Sequence, residues 1–208
     1  MELVLASASP WKAELLKEVD FSFTIDPPDV REDIESYGYA PDICERLALL
    51  KARQVRSRHD EQGVVLGADT IVRIKNTILT KPEDSKGAAQ MLRLLSGRTH
   101  IVETGIAMVG PRGEVCVREA TGVQFRPISE AQILSYAASG ECMDKAGAYA
   151  VQGGGTDFVT EIEGDYYNVV GMPITLVVEL IRQTYPELLP SSPVVRSINS
   201  VTSLFTQD

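Results

Sequence analysis

LVLASASPWKAELLKEV, residues Leu3 to Val19, is the stretch that decides how the chain folds. Leu3-Val4-Leu5-Ala6 is an apolar run of the length expected of a buried strand. Ser7-Ala8-Ser9 makes a small-residue loop with Pro10 at its end, and then Trp11, Leu15, Leu16 and Val19 recur at helical spacing. Lys12, Glu14, Lys17 and Glu18 fall on the other faces. Ser9 suits the N-cap and Pro10 the first helical position, where a missing N–H costs nothing. A strand that empties through a serine loop into a helix start offers backbone N–H groups, hydroxyls and a positive dipole end. That set suits a phosphate, with Lys12 as an added point charge. A plain strand–cap–helix unit explains the same residues, and the stretch alone leaves both readings open.

The rest of the composition narrows the class. At 208 residues, 44% hydrophobic and 24% charged, the chain is long enough for a sizeable core and reads as an ordinary globular protein. A net charge of -9 argues against a nucleic-acid or anionic-membrane surface, though local cations can still dominate a pocket. Cys44, Cys116 and Cys142 stand at no metal-ligand spacing and read as reduced thiols of a cytoplasmic protein. Two histidines, His59 and His100, are too few for a histidine-based metal site. No signal peptide is evident, and no run reaches the ~20 apolar residues that span a bilayer.

Along the chain, Phe21 to Ile25 alternates as a second strand, and Asp26-Pro27-Pro28-Asp29 breaks it. The acid-rich segment from Asp26 to Glu35 is either a solvated loop or a place where one carboxylate, Glu32, reaches a metal or a water. Pro41 to Ser57 is a helix with Ile43, Leu47, Leu50 and Val55 as its apolar stripe. Lys51 lies late in that helix and is exposed unless something draws it inward. Val64 to Val72 surrounds a lone acid, Asp69, with apolar residues, and Gly67-Ala68 leave no bulk beside it. An ionised Asp in a buried strand is costly unless paired, bonded or metal-bound. The expectation is a strand that ends at Gly67-Ala68-Asp69-Thr70 and presents its carboxylate there, where α/β proteins place ligands. Asn76 marks a hairpin turn, Ser85 caps a helix to Leu95, and Thr99–Val109 and Glu114–Phe125 are strands joined at Gly110-Pro111-Arg112-Gly113. A helix follows from Ser129 to Ser139, with Ile133, Leu134 and Tyr136 apolar. Asp144 to Gly155 is small residues around Lys145, Tyr149 and Gln152, read as a loop and strand where backbone approaches a ligand. Asp165 to Pro173 leads into a helix from Ile174 to Gln183.

No serine stands in a Gly-x-Ser-x-Gly frame, and no glycine-rich loop ends in Gly-Lys-Ser/Thr. The assembled pieces instead resemble the Maf family of nucleotide pyrophosphatases. The matching motifs are Ser7-Ala8-Ser9-Pro10, Gly67-Ala68-Asp69-Thr70-Ile71-Val72, Lys81-Pro82, Leu95-Ser96-Gly97 with His100, Asp144 to Tyr149 through Gln152-Gly153, and Val170-Gly171-Met172-Pro173. They run in order from Leu3 to about Arg182. The resemblance implies an elongated, two-lobed α/β fold with a central mixed sheet and a cleft, related to the inosine-triphosphate pyrophosphatases. The resemblance covers one domain over 1–185; the residues from 186 to 208, with three prolines and many serines, read as a loosely held Ser/Pro-rich extension, and a homodimer is one candidate assembly.

By resemblance, the activity is cleavage of a nucleoside triphosphate to the monophosphate and pyrophosphate with a divalent metal, Mg²⁺ or Mn²⁺. Ser7 and Lys12 would hold phosphate, Lys51 and Lys81 would neutralise the triphosphate, and Lys145 would help. Asp69 would be the base for the attacking water or a metal ligand, with Glu32 the second carboxylate near the metal. Thr70 and Gln152 would meet the base. Most of the family reads Ser-Pro-Arg-Arg where this chain has Ser-Pro-Trp-Lys, so Lys12 keeps the charge without the bidentate fork. Trp11 matches the subfamily that prefers 7-methyl-GTP, whose cationic purine a tryptophan face can stack on. Thr70 and Gln152 match the subfamily that prefers dTTP and UTP, and two matches outweigh one. A half-open position is expected for Trp11, ring edge on the core. The alternatives from other classes are a catalytically weak nucleotide-binding regulator of cell division and a sugar-nucleotide transferase. The first would have lost Asp69, Lys81 or Glu32; the second needs a second substrate loop that is not found.

Overall fold

The structure, a computed structural model, describes residues 1–30 and 40–190. Its strands are β1 (Glu2–Ala6), β2 (Thr24–Ile25), β3 (Gly63–Ile74), β4 (Thr77–Leu79), β5 (Thr99–Gly110), β6 (Gly113–Phe125) and β7 (Val159–Glu163). The α-helices are α1 (Pro10–Glu18), α2 (Ile43–Arg56), α3 (Ser85–Leu95), α4 (Glu130–Ala138), α5 (Tyr166–Val170) and α6 (Ile174–Thr184). One mixed seven-stranded sheet runs β2-β1-β3-β5-β6-β7, with β4 paired to β3. This bears out the expected α/β class and central mixed sheet. β1 pairs in parallel with β2 and β3, whereas β3–β4 and β6–β7 are antiparallel. Leu3 to Ala6 are buried, as expected of a parallel strand covered on both faces.

The chain divides into two compact units. Unit 1 comprises the described residues of 1–69, 104–119 and 171–190, and unit 2 comprises 70–103 and 120–170. In unit 1, Ala48, Ala52 and Val55 of α2 pack on Val4 and Ala6 of β1, Val65 of β3, and Ala107 and Val109 of β5. In unit 2, Ala88, Leu92 and Leu95 of α3 share a core with Val102, Val123, Phe125, Ile133 and Tyr136.

Several local expectations are corrected. The second strand shrinks to Thr24–Ile25, and Ile25 is exposed. Leu50 and Leu134 face water, because α2 turns Ile43, Leu47, Ala48, Ala52 and Val55 inward and α4 turns Ile133, Tyr136 and Ala137 inward. Asp84, rather than Ser85, caps α3 by accepting the Gly87 N–H at 2.6 Å. Ser129 does cap α4, in a reciprocal box with Gln132. The glycine-rich segment forms two short 3₁₀ turns, Ala146–Ala148 and Gly154–Phe158, and the strand comes after them, at Val159. Pro186–Leu188 form a 3₁₀ turn, and residues from 191 of the segment expected as an extension lie outside those described. Among the described residues no helix is long and apolar enough to cross a membrane.

Candidate active site

Asp69 does not end its strand. β3 continues through it to Ile74, and the carboxylate emerges from mid-strand at 6% exposure. What makes the position special is the neighbouring strand, which stops. The parallel register pairs Ala6 of β1 with Gly67 of β3. Ser7 therefore lies one residue past the last pair and Asp69 two, so the serine loop and the carboxylate share one end of the β1–β3 pair.

The partner of the buried carboxylate is Lys51 of α2. Its ammonium hydrogen-bonds Asp69 Oδ1, and the two side chains are 12% and 7% exposed. At that depth each charge requires the other. Two glycines make the meeting possible. A Cβ on Gly67 would fall 2.3 Å from the Ala48 carbonyl oxygen and 2.9 Å from the Ala52 Cβ, and one on Gly105 of β5 would fall 2.3 Å from the Cys44 carbonyl. With no side chain at either place, α2 lies directly on the strands, and Lys51, between Ala48 and Ala52, is carried onto Asp69. Lys51 is thus drawn inward, as the sequence allowed. Gly105 was not singled out from sequence; a glycine inside an apolar strand pattern was the available signal.

Ser7 is buried, and its Oγ accepts the Ser9 N–H at 3.1 Å. Ser9 takes the N-cap position of α1 without a side-chain cap bond, Pro10 follows at the start, and the first turn holds no acid. The positive end of α1 is therefore not neutralised by its own side chains. Lys12 departs from expectation. It is 8% exposed rather than on a solvated face, and its Nζ donates to the Gly171 carbonyl at 2.7 Å, just ahead of α6. Trp11 is half-buried, in keeping with an intermediate position.

In unit 2, Thr70 is half-buried, while Lys81 and Gln152 are exposed. Lys145 is half-buried and pairs with Asp144. Gly147 donates its N–H to the Thr80 carbonyl at 3.1 Å, which sets the Lys81 segment beside the Lys145 segment. His100 is buried, with Nε2 2.9 Å from the Tyr149 hydroxyl and its ring edge-on to Phe125 at 4.8 Å. Burial lowers its pKa to about 4, so it is neutral at neutral pH. Glu32 lies outside the described residues. Among the described residues no three His, Cys, Asp or Glu side chains gather to hold a metal.

Known proteins align with this arrangement over nearly the full chain. The chain is 47% identical over 182 residues to a dTTP/UTP pyrophosphatase of Bacillus mycoides (strain KBAB4), covering 88% of this chain and 95% of that protein. It is 48% identical over 184 residues to a dTTP/UTP pyrophosphatase of Moorella thermoacetica, covering 86% and 93%. Among solved structures it is similar to a nucleoside-triphosphatase / dITP/XTP pyrophosphatase of Mycobacterium abscessus at TM-score 0.44 and 18% identity, covering 91% and 98%. Residues 2–184, which hold the Ser7 loop, Asp69 and every described unit-2 position named above, match the Maf-like proteins, and the chain belongs to the Maf family.

Proposed function

We propose that this protein hydrolyses a nucleoside triphosphate to the monophosphate and pyrophosphate, with dTTP and UTP preferred. The observation that carries the reading is the buried Asp69–Lys51 pair at the end of β1–β3 that the serine loop and the start of α1 share. The relatives named above as dTTP/UTP pyrophosphatases support the substrate class. In this reading Asp69 takes the proton of the attacking water, and Lys51 holds the carboxylate in place. The Ser7–Ser9 loop and the α1 N-terminus receive phosphate oxygens through N–H and O–H donors. Lys12, tied to Gly171, adds positive charge behind that helix start. Lys81 and Lys145 neutralise phosphate charge, and Thr70 and Gln152 contact the base; these four roles rest on the motif match. Chemistry of this kind depends on charge stabilisation and positioning rather than on a covalent intermediate.

A divalent cation belongs to the same reading. Asp69, a carboxylate at the end of the β1–β3 pair, would be one oxygen ligand and Glu32 is the second candidate, donors of the kind a hard divalent cation takes. When bound, Mg²⁺ or Mn²⁺ would screen the triphosphate and polarise its phosphoryl oxygens. Cys44, Cys116 and Cys142, as thiols outside any disulfide, fit a cytoplasmic enzyme. A second reading, 7-methyl-GTP as substrate, is favoured by the part of Trp11 left open to solvent.

One screen tests all of this. Phosphate release is followed with and without a coupling pyrophosphatase, across the nucleoside triphosphates and their 7-methyl forms. The expected result is release only with coupling, strongest for UTP and dTTP, abolished by chelator and restored by Mg²⁺ or Mn²⁺. Release without coupling rejects the reaction, full activity after exhaustive chelation rejects the cation, and a preference for 7-methyl-GTP rejects the pyrimidine assignment.

A further inference from the structure

The turn that carries Gln152 is held by side chains from α4 and from the loop that follows it. The Gly153 N–H donates to the Ala150 carbonyl at 3.2 Å, which closes a turn with Val151 and Gln152 at its centre. Val151 is buried and Gln152 is exposed. On the near side of the turn, the Tyr136 hydroxyl of α4 accepts the Ala150 N–H at 3.0 Å. On the far side, both carboxylate oxygens of Glu141 accept the Gly154 N–H, at 3.0 and 3.2 Å. The Tyr136 hydroxyl and Glu141 Oε1 also meet at 3.4 Å, so the two supports form one bracket. Thr156 Oγ1 donates to the Val151 carbonyl at 2.5 Å, and the Tyr149 hydroxyl is anchored on buried His100. Just before the turn, buried Ala148 holds φ at 59°, a strained conformation for a residue with a side chain. A segment that only linked two elements would require none of these bonds.

We infer that Tyr136 and Glu141 are positioning residues for base discrimination: they fix the Ala150–Gly154 turn so that Gln152 is presented in one pose. This rests on the reading that gives Gln152 to the base. Neither residue is placed in contact with the nucleotide. Their contribution is preorganisation, since a glutamine on a loose turn would have to be ordered each time a base bound. Tyr136 supplies a neutral donor–acceptor, as a phenol is at neutral pH, and burial moves its pKa further up.

The test is the ratio of kcat/KM for UTP to that for GTP, measured with melting temperature on five variants. Gln152→Ala is expected to lower the ratio about tenfold, the scale of a lost base contact left unpaired. Tyr136→Phe keeps the ring packed on Phe158 and removes only the hydroxyl, and with it the acceptor for Ala150 and the donor to Glu141. It and Glu141→Ala are each expected to lower the ratio about threefold to tenfold, through KM for UTP rather than kcat, as befits one lost hydrogen bond. Glu141→Gln, which keeps an acceptor for Gly154, is expected to stay within twofold of wild type. Ile133→Ala, a core cavity in the same helix, is expected to lower the melting temperature and leave the ratio unchanged. If Gln152→Ala lowers the ratio and Tyr136→Phe and Glu141→Ala do not, the inference is wrong and the base contact stands. If Gln152→Ala leaves the ratio within twofold, the base contact is wrong and the inference falls with it. A loss in Ile133→Ala equal to that in Tyr136→Phe also overturns the inference, since any softening of α4 would then suffice.

Discussion

The two units carry their chemistry in opposite ways. In unit 1 the charged groups are themselves buried: Lys51 against Asp69, and Lys12 against the Gly171 carbonyl. In unit 2 the candidate groups Lys81 and Gln152 stand in water, while Tyr136, Tyr149, His100 and the ion pair Arg73–Glu103, none of them a candidate site residue, are buried. A change at a unit-1 site residue should therefore damage stability and activity together. A change at an exposed unit-2 residue should damage activity alone, and the buried groups of that unit should be where stability and pH sensitivity appear.

The largest effect is expected from breaking the unit-1 pair at Lys51. Lys51→Met leaves the Asp69 carboxylate buried beside an apolar chain and should cost about 3–5 kcal/mol, the scale for one partner lost from a buried pair. Denaturant titration reads the cost, and a variant as stable as wild type would erase the contrast between the units. Next comes pH. Buried His100 resists protonation until about pH 4 in the folded chain, whereas in the unfolded chain it charges near 6.5. Its folded pKa is depressed, so the unfolded state binds more protons between those values and stability falls on acidification through that window. The loss should approach about 3 kcal/mol at pH 4. His100→Gln should flatten the stability profile between pH 6.5 and 4 relative to wild type; an unchanged slope would assign the acid sensitivity elsewhere.

Lys81→Ala sharpens the comparison from the other side. It should lower kcat/KM about 10- to 100-fold, as expected for a charge-assisted phosphate contact, with the melting temperature unmoved because the ammonium is exposed. The smallest effect is expected at Trp11. Half-buried, it should lose about 1–2 kcal/mol on Trp11→Ala, below the ~3–5 kcal/mol of a full core aromatic. The ratio of kcat/KM for UTP to 7-methyl-GTP should rise at least twofold if the ring also meets a methylated purine. An unchanged ratio would confine Trp11 to packing and leave discrimination to Thr70 and Gln152.

Unit 1 was largely legible in the sequence because its signals are local. An apolar run, a serine loop and a proline at a helix start describe β1 and α1 without help from elsewhere, and a lone Asp among apolar residues demands a partner. Which partner was not legible, since Lys51 reaches Asp69 only because Gly67 and Gly105 let α2 settle on the sheet. The strand runs on through Asp69 for a related reason: Gly67 marks a helix contact rather than a strand end. Unit 2 hid more. Between Asp144 and Gly155 the small residues suit many conformations, and the one adopted is chosen by Tyr136, Glu141 and His100 from outside the segment. Lys12 likewise reads as a polar-face residue until the distant Gly171 carbonyl is known.

The most direct test follows UTP through one reaction on wild type and Asp69→Asn, with the nucleotide and phosphate products separated and quantified. Wild type should yield UMP and pyrophosphate in equal amounts. Asp69→Asn, less stable than wild type because Lys51 loses its carboxylate but still folded by circular dichroism and still binding UTP, should turn over at least ~100-fold more slowly, the scale for a lost general base. UDP and phosphate as products would contradict the reaction, and turnover within a few-fold of wild type would remove Asp69 from it.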